Sequence, residues 1–180
     1  MTVKTESIVL GGGCFWCLDA GFRLIEGVID VVSGYAGGTT VNPDYYSVAG
    51  GETGHAEVIN VTYNPLVISC SDILDIFWAM HNPTTLNYQG YDKGTDYRSI
   101  ILFTGDAQKQ CIDESLKQVA KLWDDPIVTE VKELDVFYPA EDEHQNYFQK
   151  HPEQGYCQVI INPKLAKLRQ KFSSRLRKDI

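Results

Sequence analysis

The sequence feature that most constrains the fold is a run of three glycines between an apolar strand and a helix. Residues 7–10 form a short β-type run, residues 11–13 form the glycine turn, and helical spacing begins at Cys14. The predicted buried face of this helix is Cys14, Leu18, Gly21, Phe22 and Ile25. The β-branched run 28–35 then predicts a second strand, so the chain opens with a βαβ-like unit.

Further strands and helices of ordinary length follow along the chain. Alternation and β-branched residues predict strands over 55–63, 99–103 and 131–136, the last being the final strand expected. Apolar residues three and four apart predict a helix over 72–80 and a longer one capped by Asp106. The core face of the longer helix is Ile112, Ser115, Leu116, Val119 and Trp123.

Two segments, 42–52 and 84–97, lack any periodicity, and we expect both to be irregular loops. A loop of the second length inside a compact domain is unusual and often functional. Near the end of the chain, Asn162 as a cap and Pro163 at the first helical position predict a basic amphipathic helix over about 163–178.

The length and the composition suit a single core. The chain has 180 residues, of which 43% are hydrophobic, and this is enough to bury one ordinary core. We therefore predict a single catalytic domain over residues 1–180 of the α+β class. Its architecture is a mixed β-sheet with helices packed around it, a two-layer sandwich that contains the βαβ-like unit.

The charge excludes a typical nucleic-acid binder. The net charge is -8 and the isoelectric point is near 4.9, whereas phosphate recognition depends on clustered positive charge. Seven of the 16 basic residues lie within 164–178, where interleaved apolar residues indicate a surface helix. The first ten residues show neither a signal-peptide pattern nor a membrane span. We expect a cytoplasmic monomer without a nucleic-acid or membrane partner.

The five cysteines are unevenly spaced and do not match the disulfide framework of a small secreted domain. We interpret Cys70 and Cys111, which lie next to or within predicted helices, as inert small apolar side chains. Cys14 differs from them, because the partial positive charge at a helix amino terminus stabilises a thiolate. The adjacent glycine turn exposes backbone amides that stabilise a developing negative charge.

The glycine turn is not a cofactor motif. It lacks the further glycines and the acidic residue of a dinucleotide fingerprint, and it lacks the Gly-Lys-Ser/Thr of a phosphate loop. No pair of histidines has the i, i+4 spacing of a helical zinc site. We therefore expect neither a bound cofactor nor a metal.

Phe15 and Trp16 directly follow Cys14 and lie off the predicted buried face of the helix. Two such aromatic residues more often belong to a core than to a substrate pocket. Here they begin a series of motifs: Gly13-Cys14-Phe15-Trp16, Gly34-Tyr35-Ala36-Gly37-Gly38, Asn42-Pro43-Asp44-Tyr45, Thr53-Gly54-His55-Ala56-Glu57, His81-Asn82-Pro83, Gly94-Thr95-Asp96-Tyr97-Arg98-Ser99 and Tyr138-Pro139-Ala140-Glu141-Asp142. In this order, and over nearly the whole chain, the motifs resemble those of the A-type methionine sulfoxide reductases.

The resemblance implies roles for several residues. Cys14 attacks the sulfur of the sulfoxide, Glu57, Tyr45 and Tyr97 hold and protonate the departing oxygen, and Asp92 is a supporting polar residue. The chemistry agrees, because a sulfoxide oxygen leaves poorly unless it is protonated. A carboxylic acid in a sheltered pocket can stay protonated near neutral pH.

The implied substrate is methionine-S-sulfoxide in oxidised proteins and peptides, and also as the free amino acid. Phe15 and Trp16 would receive the methyl group of the substrate, where apolar contact is favourable. One diastereomer of the sulfoxide is expected to fit.

Attack leaves Cys14 as a sulfenic acid, which condenses with a second thiol. The chain departs from the commonest family pattern because Cys17, rather than glycine, follows Trp16. Cys157, in a loop-like Gly-Tyr-Cys segment, matches a place where many members keep a resolving cysteine. We expect a relay through both, with Cys157 approaching first on a mobile loop, and thioredoxin or another dithiol as the reductant.

Two other mechanistic classes compete with this interpretation. A cysteine hydrolase would activate Cys14 through His55 or His144 and form a thioester. A general dithiol oxidoreductase would use Cys14 and Cys17 alone. Neither class accounts for the aromatic residues and tyrosines of the motifs.

Overall fold

The computed structural model describes residues 2–180. The strands are β1 (Glu6–Gly11), β2 (Val28–Ala36), β3 (Ala56–Tyr63), β4 (Tyr88–Gln89), β5 (Asp92–Lys93), β6 (Ile100–Phe103), β7 (Glu130–Glu133) and β8 (Tyr138–Pro139). The α-helices are α1 (Phe15–Phe22), α2 (Tyr45–Ala49), α3 (Cys70–Met80), α4 (Asp106–Val119), α5 (Tyr147–Lys150) and α6 (Asn162–Lys171). A π-helical turn, Cys157–Ile161, leads directly into α6.

Six of the strands form one mixed sheet in the order β7-β6-β1-β3-β2-β8. Strand β3 is antiparallel to both β1 and β2, so β1 and β2 run parallel with β3 between them. Strand β6 is antiparallel to β1, whereas β7 is parallel to β6. The predicted βαβ-like unit is therefore present with a third strand inserted in it. The mixed sheet with packed helices confirms the predicted fold class.

The alternation of side chains along β3 positions an acidic residue. Ile59 and Val61 belong to the main core beneath the helices, whereas Val58 belongs to a smaller cluster on the opposite face of the sheet. Glu57 has the same parity as Ile59 and Val61, so the strand directs its carboxyl group toward the helical layer. This direction brings Glu57 to the start of α1.

Helix α1 is buried on almost all sides, and the predicted one-sided face is wrong. Every residue of the helix except Trp16 is buried. Strands β2 and β3 contact the helix, and so do α3, α5 and α6. The helix also ends at Phe22, because Ile25 instead forms a bridge with Leu176 and Gly27 turns the chain into β2 with a φ of +94°. The first turn of α1 is thus held from several directions.

Arg23 links the end of α1 to β2 through two hydrogen bonds. Its Nε donates to Asp19 Oδ1 at 2.9 Å, and its Nη2 donates to the carbonyl oxygen of Val31 at 2.6 Å. Asp19 is fully buried, and burial raises the pKa of its carboxyl to about 6. Arg23→Met leaves this carboxyl without its ion pair, so we expect the free energy of unfolding to fall by about 2–4 kcal/mol.

The matched control for Arg23→Met is Lys109→Met, which removes an exposed ion pair with Asp113. Exposed pairs of this kind contribute little, and we expect a loss below about 1 kcal/mol. Chemical denaturation at neutral pH measures both variants. Equal losses in the two would contradict the role given to Arg23.

The two segments expected to be irregular contain short regular elements. Asp44 caps α2, because its side chain accepts the N–H of Ser47 at 2.8 Å while its own N–H donates to the Ser47 hydroxyl at 3.0 Å. This capping box overrides the loop pattern of 42–52 and places Tyr45 at the start of a helix. Within 84–97 the chain forms the β4–β5 hairpin and a 3-10 turn.

The carboxyl-terminal third also departs from the prediction. Strand β7 is not the last, because β8 follows it and pairs with β2 at the opposite edge of the sheet. Asn162 lies inside continuous helical backbone rather than at a cap. The helix predicted over 163–178 ends at Lys171, because the chain folds back and Arg177 Nε donates to the carbonyl of Arg23 at 3.0 Å.

Residues 2–180 include no helix with the length and the apolar character needed to cross a bilayer.

Candidate active site

The glycine turn places Cys14 at the start of α1. Gly13 has a φ of +89°, a conformation that favours glycine, and its N–H donates to the carbonyl of Tyr97 at 3.1 Å. Gly12 lies against the imidazole of His81, and a Cβ atom there would be only 2.7 Å from the ring. Cys14 itself is the N-cap residue and is 8% exposed. The turn therefore holds this thiol in a sheltered position.

Glu57 is a buried acid beside Cys14. Its side chain is 2% exposed, and Oε1 accepts the backbone N–H of Phe15 at 3.1 Å. Burial raises the pKa of this carboxyl to about 8, and the charges of Asp96 and Asp92 add to the rise against the opposing hydrogen bond from Phe15. At neutral pH Glu57 therefore carries a proton that it can donate.

Two tyrosines from separate elements face the same acid. Tyr45 opens α2, and Tyr97 ends the 3-10 turn Thr95–Tyr97. Burial raises the pKa of Tyr45 to about 12 and that of Tyr97 far above its usual range, and the charge of Glu57 acts in the same direction on both. Both hydroxyls keep their protons, and the charges of Glu57 and Cys14 act on both of them.

Cys14 and Cys17 are interacting thiols at the start of α1. Burial raises the pKa of Cys14 well above its usual range, and the hydrogen bond with Cys17 and the charge of Glu57 act in the same direction. That hydrogen bond lowers the pKa of Cys17 to about 7. The backbone N–H of Trp16 favours a Cys14 thiolate, as expected at a helix start, but burial outweighs it. The interaction between the two thiols thus raises the pKa of Cys14 and lowers that of Cys17.

Cys157 is packed in a helical turn and not carried on the predicted loop. It is the first residue of the π-helical turn and is 0% exposed. Burial and the neighbouring Cys17 raise the pKa of its thiol. Cys17 therefore affects the pKa of Cys14 and that of Cys157.

Asp92 joins the site through the carboxyl-terminal segment. The hydroxyl of Tyr156 donates to Asp92 Oδ2 at 2.6 Å and lies 3.7 Å from the sulfur of Cys17. The ring of Tyr156 meets that of Trp16 edge-on, with centroids 5.9 Å apart. One residue thus connects Asp92, the thiol pair and the aromatic side of the site.

Phe15 and Trp16 occupy different environments. Phe15 is fully buried and packs against Tyr35, with ring centroids 5.8 Å apart. Trp16 is half-buried and stacks on Tyr147 at 3.7 Å with the planes only 5° apart. Its buried Nε1 has no hydrogen-bond acceptor in the described part of the chain, residues 2–180. Trp16 is therefore the more accessible of the two aromatic side chains, whereas Phe15 belongs to the core.

Comparison with known proteins places this arrangement in a family. The family model described as peptide methionine sulfoxide reductase matches residues 6–176. This chain belongs to the peptide methionine sulfoxide reductase family. Its sequence is 56% identical to the reductase MsrA of Paenarthrobacter aurescens over 171 residues, 95% of this chain and 98% of that protein. It is 53% identical to the MsrA of Polynucleobacter asymbioticus over 171 residues, 94% and 90% of the two chains.

Solved structures agree with this assignment. Reduced Mxr1 from Saccharomyces cerevisiae superposes with a TM-score of 0.81 at 36% identity, covering 87% of this chain and 91% of that chain. Methionine sulfoxide reductase A of Corynebacterium diphtheriae gives 0.75 at 33% identity, covering 83% and 76%. The family, the fold and the reduction of methionine sulfoxide implied by the motifs are confirmed. The protein is an oxidoreductase of the peptide methionine sulfoxide reductase class.

His144 and Glu141 also contact the predicted site residues of this reductase, although the sequence interpretation gave neither of them a role in the reduction. The ring of His144 stacks on Tyr45 at 4.5 Å and on Trp16 at 5.8 Å. Glu141 accepts the N–H of Tyr45 at 3.1 Å through Oε2 and the hydroxyl of Tyr35 at 3.0 Å through Oε1. Glu141 lies within the motif 138–142 and His144 follows it closely, but the 3-10 turn Asp142–His144 has no periodicity that would indicate which side chains contact Tyr45.

His55 does not provide the base that a cysteine hydrolase needs. His55 Nδ1 accepts the N–H of Gly38 at 3.0 Å, and its Nε2 pairs with the carbonyl of Thr40 at 2.8 Å. Both ring nitrogens of His55 are therefore occupied by backbone groups.

One cluster of side chains resembles a set of metal ligands. Glu141, Glu143 and His144 bring atoms that could bind a metal ion within 4.8 Å of one another, but both oxygens of Glu141 already accept hydrogen bonds.

Proposed function

We propose that this reductase acts on the S epimer of methionine sulfoxide, in proteins and as the free amino acid, with Cys14 as nucleophile and Glu57 as acid. The observation that carries the proposal is the buried carboxyl of Glu57, whose pKa of about 8 keeps a proton beside the Cys14 thiol. A protonated acid next to a thiol suits a reaction in which a poor leaving oxygen must be protonated. The hydroxyls of Tyr45 and Tyr97 bind that oxygen.

The first step begins with a proton transfer between the Cys14 and Cys17 thiols. Cys14 passes its proton to the Cys17 thiolate and becomes the thiolate itself. The Cys14 sulfur donates an electron pair to the substrate, Glu57 gives its proton to the sulfoxide oxygen, and the bond between that oxygen and the substrate sulfur breaks. The oxygen ends on Cys14 as a sulfenic acid, and methionine is released. Cys14 is oxidised by two electrons, and the substrate sulfur is reduced by two.

The walls of the site account for the choice of substrate. The methyl group of the substrate lies against Trp16, where apolar contact is favourable. Asp92 supports the opposite, polar side through the Tyr156 hydroxyl. Donors on one side and an apolar wall on the other distinguish the two epimers.

Resolution proceeds through Cys17 and then Cys157. Cys17 already contacts Cys14, so its sulfur attacks the sulfenic sulfur, water leaves, and a disulfide forms. The Cys157 thiol then exchanges onto Cys17 and frees Cys14. This order reverses the sequence-based preference for Cys157 as first attacker, and it rests on the interactions of Cys17 with both other thiols.

Thioredoxin is the proposed reductant of the final disulfide, so the cycle draws its electrons from a dithiol without a prosthetic group. Mxr1 from Saccharomyces cerevisiae in complex with Trx2 superposes on this chain with a TM-score of 0.59 at 27% identity, covering 82% of this chain and 87% of that chain. Because the cycle needs a reducing environment, we propose the cytoplasm as the compartment.

The order of the relay predicts different disulfides in two variants. After one turnover, Cys157→Ser is expected to hold a disulfide between Cys14 and Cys17. In Cys17→Ser the sulfenic acid on Cys14 is expected to persist at least about tenfold longer, because the thiol that interacts with Cys14 is then missing. Trapping with dimedone and mass mapping measure both. A Cys14–Cys157 disulfide formed in Cys17→Ser at the wild-type rate would reverse the order.

The rate of the first step is expected to follow a bell-shaped pH profile. It falls below about pH 7, where the thiol pair takes up a second proton, and above about pH 8, where Glu57 loses its proton. Quenched single-turnover release of methionine measures this profile. A rate that continues to rise well above pH 8 would exclude Glu57 as the acid.

The proposed function is tested by incubating the protein with dithiothreitol and each epimer, free and within a peptide. We expect methionine from the S epimer in both forms. Methionine from neither epimer contradicts the proposal, and an acyl product would favour the hydrolase. Disulfide exchange without methionine would favour a general dithiol oxidoreductase.

A further inference from the structure

Two tyrosines that the reaction does not use lie almost fully exposed beside the candidate active site. Tyr46 is 83% exposed and Tyr91 is 93% exposed. Each is the chain neighbour of a site residue, since Tyr46 follows Tyr45 and Tyr91 precedes Asp92. An exposed ring adds little to the buried core, whereas tyrosine is enriched at surfaces where proteins bind other chains. The position of these two rings therefore points to a role in binding.

Helix α2 holds Tyr46 in a fixed position next to Tyr45. The capping box between Asp44 and Ser47 sets the start of the helix, and Glu141 accepts the N–H of Tyr45. The rings of Tyr45 and Tyr46 meet edge-on, with centroids 5.7 Å apart and planes at 76°. The half-buried ring of Tyr45 is thus continuous with an exposed ring.

The β4–β5 hairpin holds Tyr91 on a support that packs against the catalytic turn. Tyr91 lies in the two-residue turn between the paired residues Gln89 and Asp92. Gln89 is buried, and its side chain accepts the N–H of Asn82 at 2.9 Å and donates to the carbonyl of Asn82 at 2.6 Å. A Cβ atom on Gly13 would be only 3.0 Å from Gln89. The hairpin is therefore fixed relative to the turn that carries the nucleophile.

The elements that carry the two tyrosines are neighbours on the surface. Gly51 comes directly after the end of α2, and a Cβ atom there would be 4.0 Å from Thr95 Oγ1. Thr95 opens the 3-10 turn that follows the hairpin. The charge of Asp92 also contributes to the raised pKa of Tyr45, which agrees with this proximity. Helix α2 and the hairpin therefore lie on the same side of the molecule as the site.

The polypeptide on either side of a bound sulfoxide is the occupant that this position favours. When a sulfoxide within a protein lies at Cys14, the next residues of that protein must leave past the edge of the site, because consecutive Cα atoms are only about 3.8 Å apart. Free methionine sulfoxide has no such residues. Both exposed tyrosines are uncharged and aromatic, so they favour apolar and aromatic neighbours over charged ones.

We infer that Tyr46 and Tyr91 form a specificity-determining rim that binds apolar residues next to the sulfoxide in an unfolded segment of an oxidised protein. The inference rests on the proposed function and adds to it the class of protein substrate. Methionine packs among apolar residues, and its oxidation disrupts that packing. Segments released in this way carry a sulfoxide with apolar neighbours. The rim strengthens the binding of such segments and leaves the chemistry at Cys14 unchanged.

The test compares three substrates of the S epimer in single turnovers over a range of concentrations. They are the free amino acid, a peptide with leucine and phenylalanine on both sides of the sulfoxide, and an equally long peptide with serine and glycine there. For the wild type we expect half-saturation by the apolar peptide at a concentration about tenfold below that of the polar peptide. In the double variant with Tyr46→Ser and Tyr91→Ser, this difference should fall to within about twofold. The limiting rate and the half-saturation by the free amino acid should change less than about twofold.

Two further variants serve as matched controls. The double variant with Tyr46→Phe and Tyr91→Phe keeps both rings, so it should retain the wild-type preference. Leu66→Ser changes an almost fully exposed residue beyond the end of β3 that is remote from Glu57, and it should also retain the preference. Circular dichroism checks the folding of all variants.

A double serine variant that keeps the full preference for the apolar peptide would overturn the inference, and so would an equal loss in Leu66→Ser. An unchanged preference together with slower reduction of the final disulfide by thioredoxin would assign the rim to the reductant instead. Reduction of all three substrates without any preference in the wild type overturns this inference alone. Reduction of none of them contradicts the proposed function as well.

Discussion

A Cys14→Ser variant is expected to release no methionine from methionine-S-sulfoxide above the uncatalysed level. The serine hydroxyl does not ionise near neutral pH, and it cannot carry the oxygen away as a sulfenic acid does. The position is an N-cap, where serine is well tolerated, so the fold should survive the change. Methionine release in a single turnover, with circular dichroism to check folding, measures the result.

The control for Cys14→Ser is Cys17→Ser. Cys17 has the lower pKa of the pair and is therefore the rival nucleophile. If Cys14 attacks, Cys17→Ser releases one methionine per protein molecule and then stalls. Release of methionine by Cys14→Ser, with none from Cys17→Ser, would transfer the nucleophilic role to Cys17.

Replacing Glu57 with glutamine is expected to slow the first step by about 10²–10⁴-fold while substrate affinity stays within a few-fold. The amide oxygen of glutamine can still accept the N–H of Phe15, so the geometry at Cys14 is kept. What is lost is the proton for the sulfoxide oxygen. Single-turnover kinetics over a range of substrate concentrations separates the two effects.

The stability of Glu57→Gln provides a second readout: the variant should be slower than the wild type but more stable. The folded protein keeps the Glu57 proton up to about pH 8, whereas the carboxyl of the unfolded chain loses it near 4.5. The folded state therefore binds more protons in this window, and its stability falls as the pH rises through it. At pH 8 the glutamine variant should be more stable than the wild type by on the order of 2–4 kcal/mol. A variant that is both slow and less stable would indicate a structural role for Glu57.

Much of the fold could be predicted because its signals are local. The strand, glycine turn and helix around Cys14 are visible within one window, as is the alternation of β3. Strand β8 has two residues and exists only because it pairs with β2, so no local pattern indicates it. The early end of α6 likewise depends on Arg177 reaching Arg23, a contact between opposite ends of the chain.

In the candidate site, too, some features could be predicted from the sequence and others could not. The motifs name Cys14, Glu57 and the two tyrosines, and the structure brings these residues together. The opposite shifts in the pKa of Cys14 and of Cys17 could not be predicted, because they depend on burial and on one hydrogen bond. The packing of Cys157 in a helical turn was also hidden, since Gly155 and Tyr156 are typical of a loop in sequence alone.

The central claim is that Cys14 takes the oxygen from the substrate. The most direct test uses a variant with both Cys17→Ser and Cys157→Ser, given one equivalent of methionine-S-sulfoxide in the presence of dimedone. We predict one methionine per protein molecule and a dimedone adduct on Cys14 alone. Methionine released with the adduct on another cysteine, or with no adduct, would contradict the mechanism.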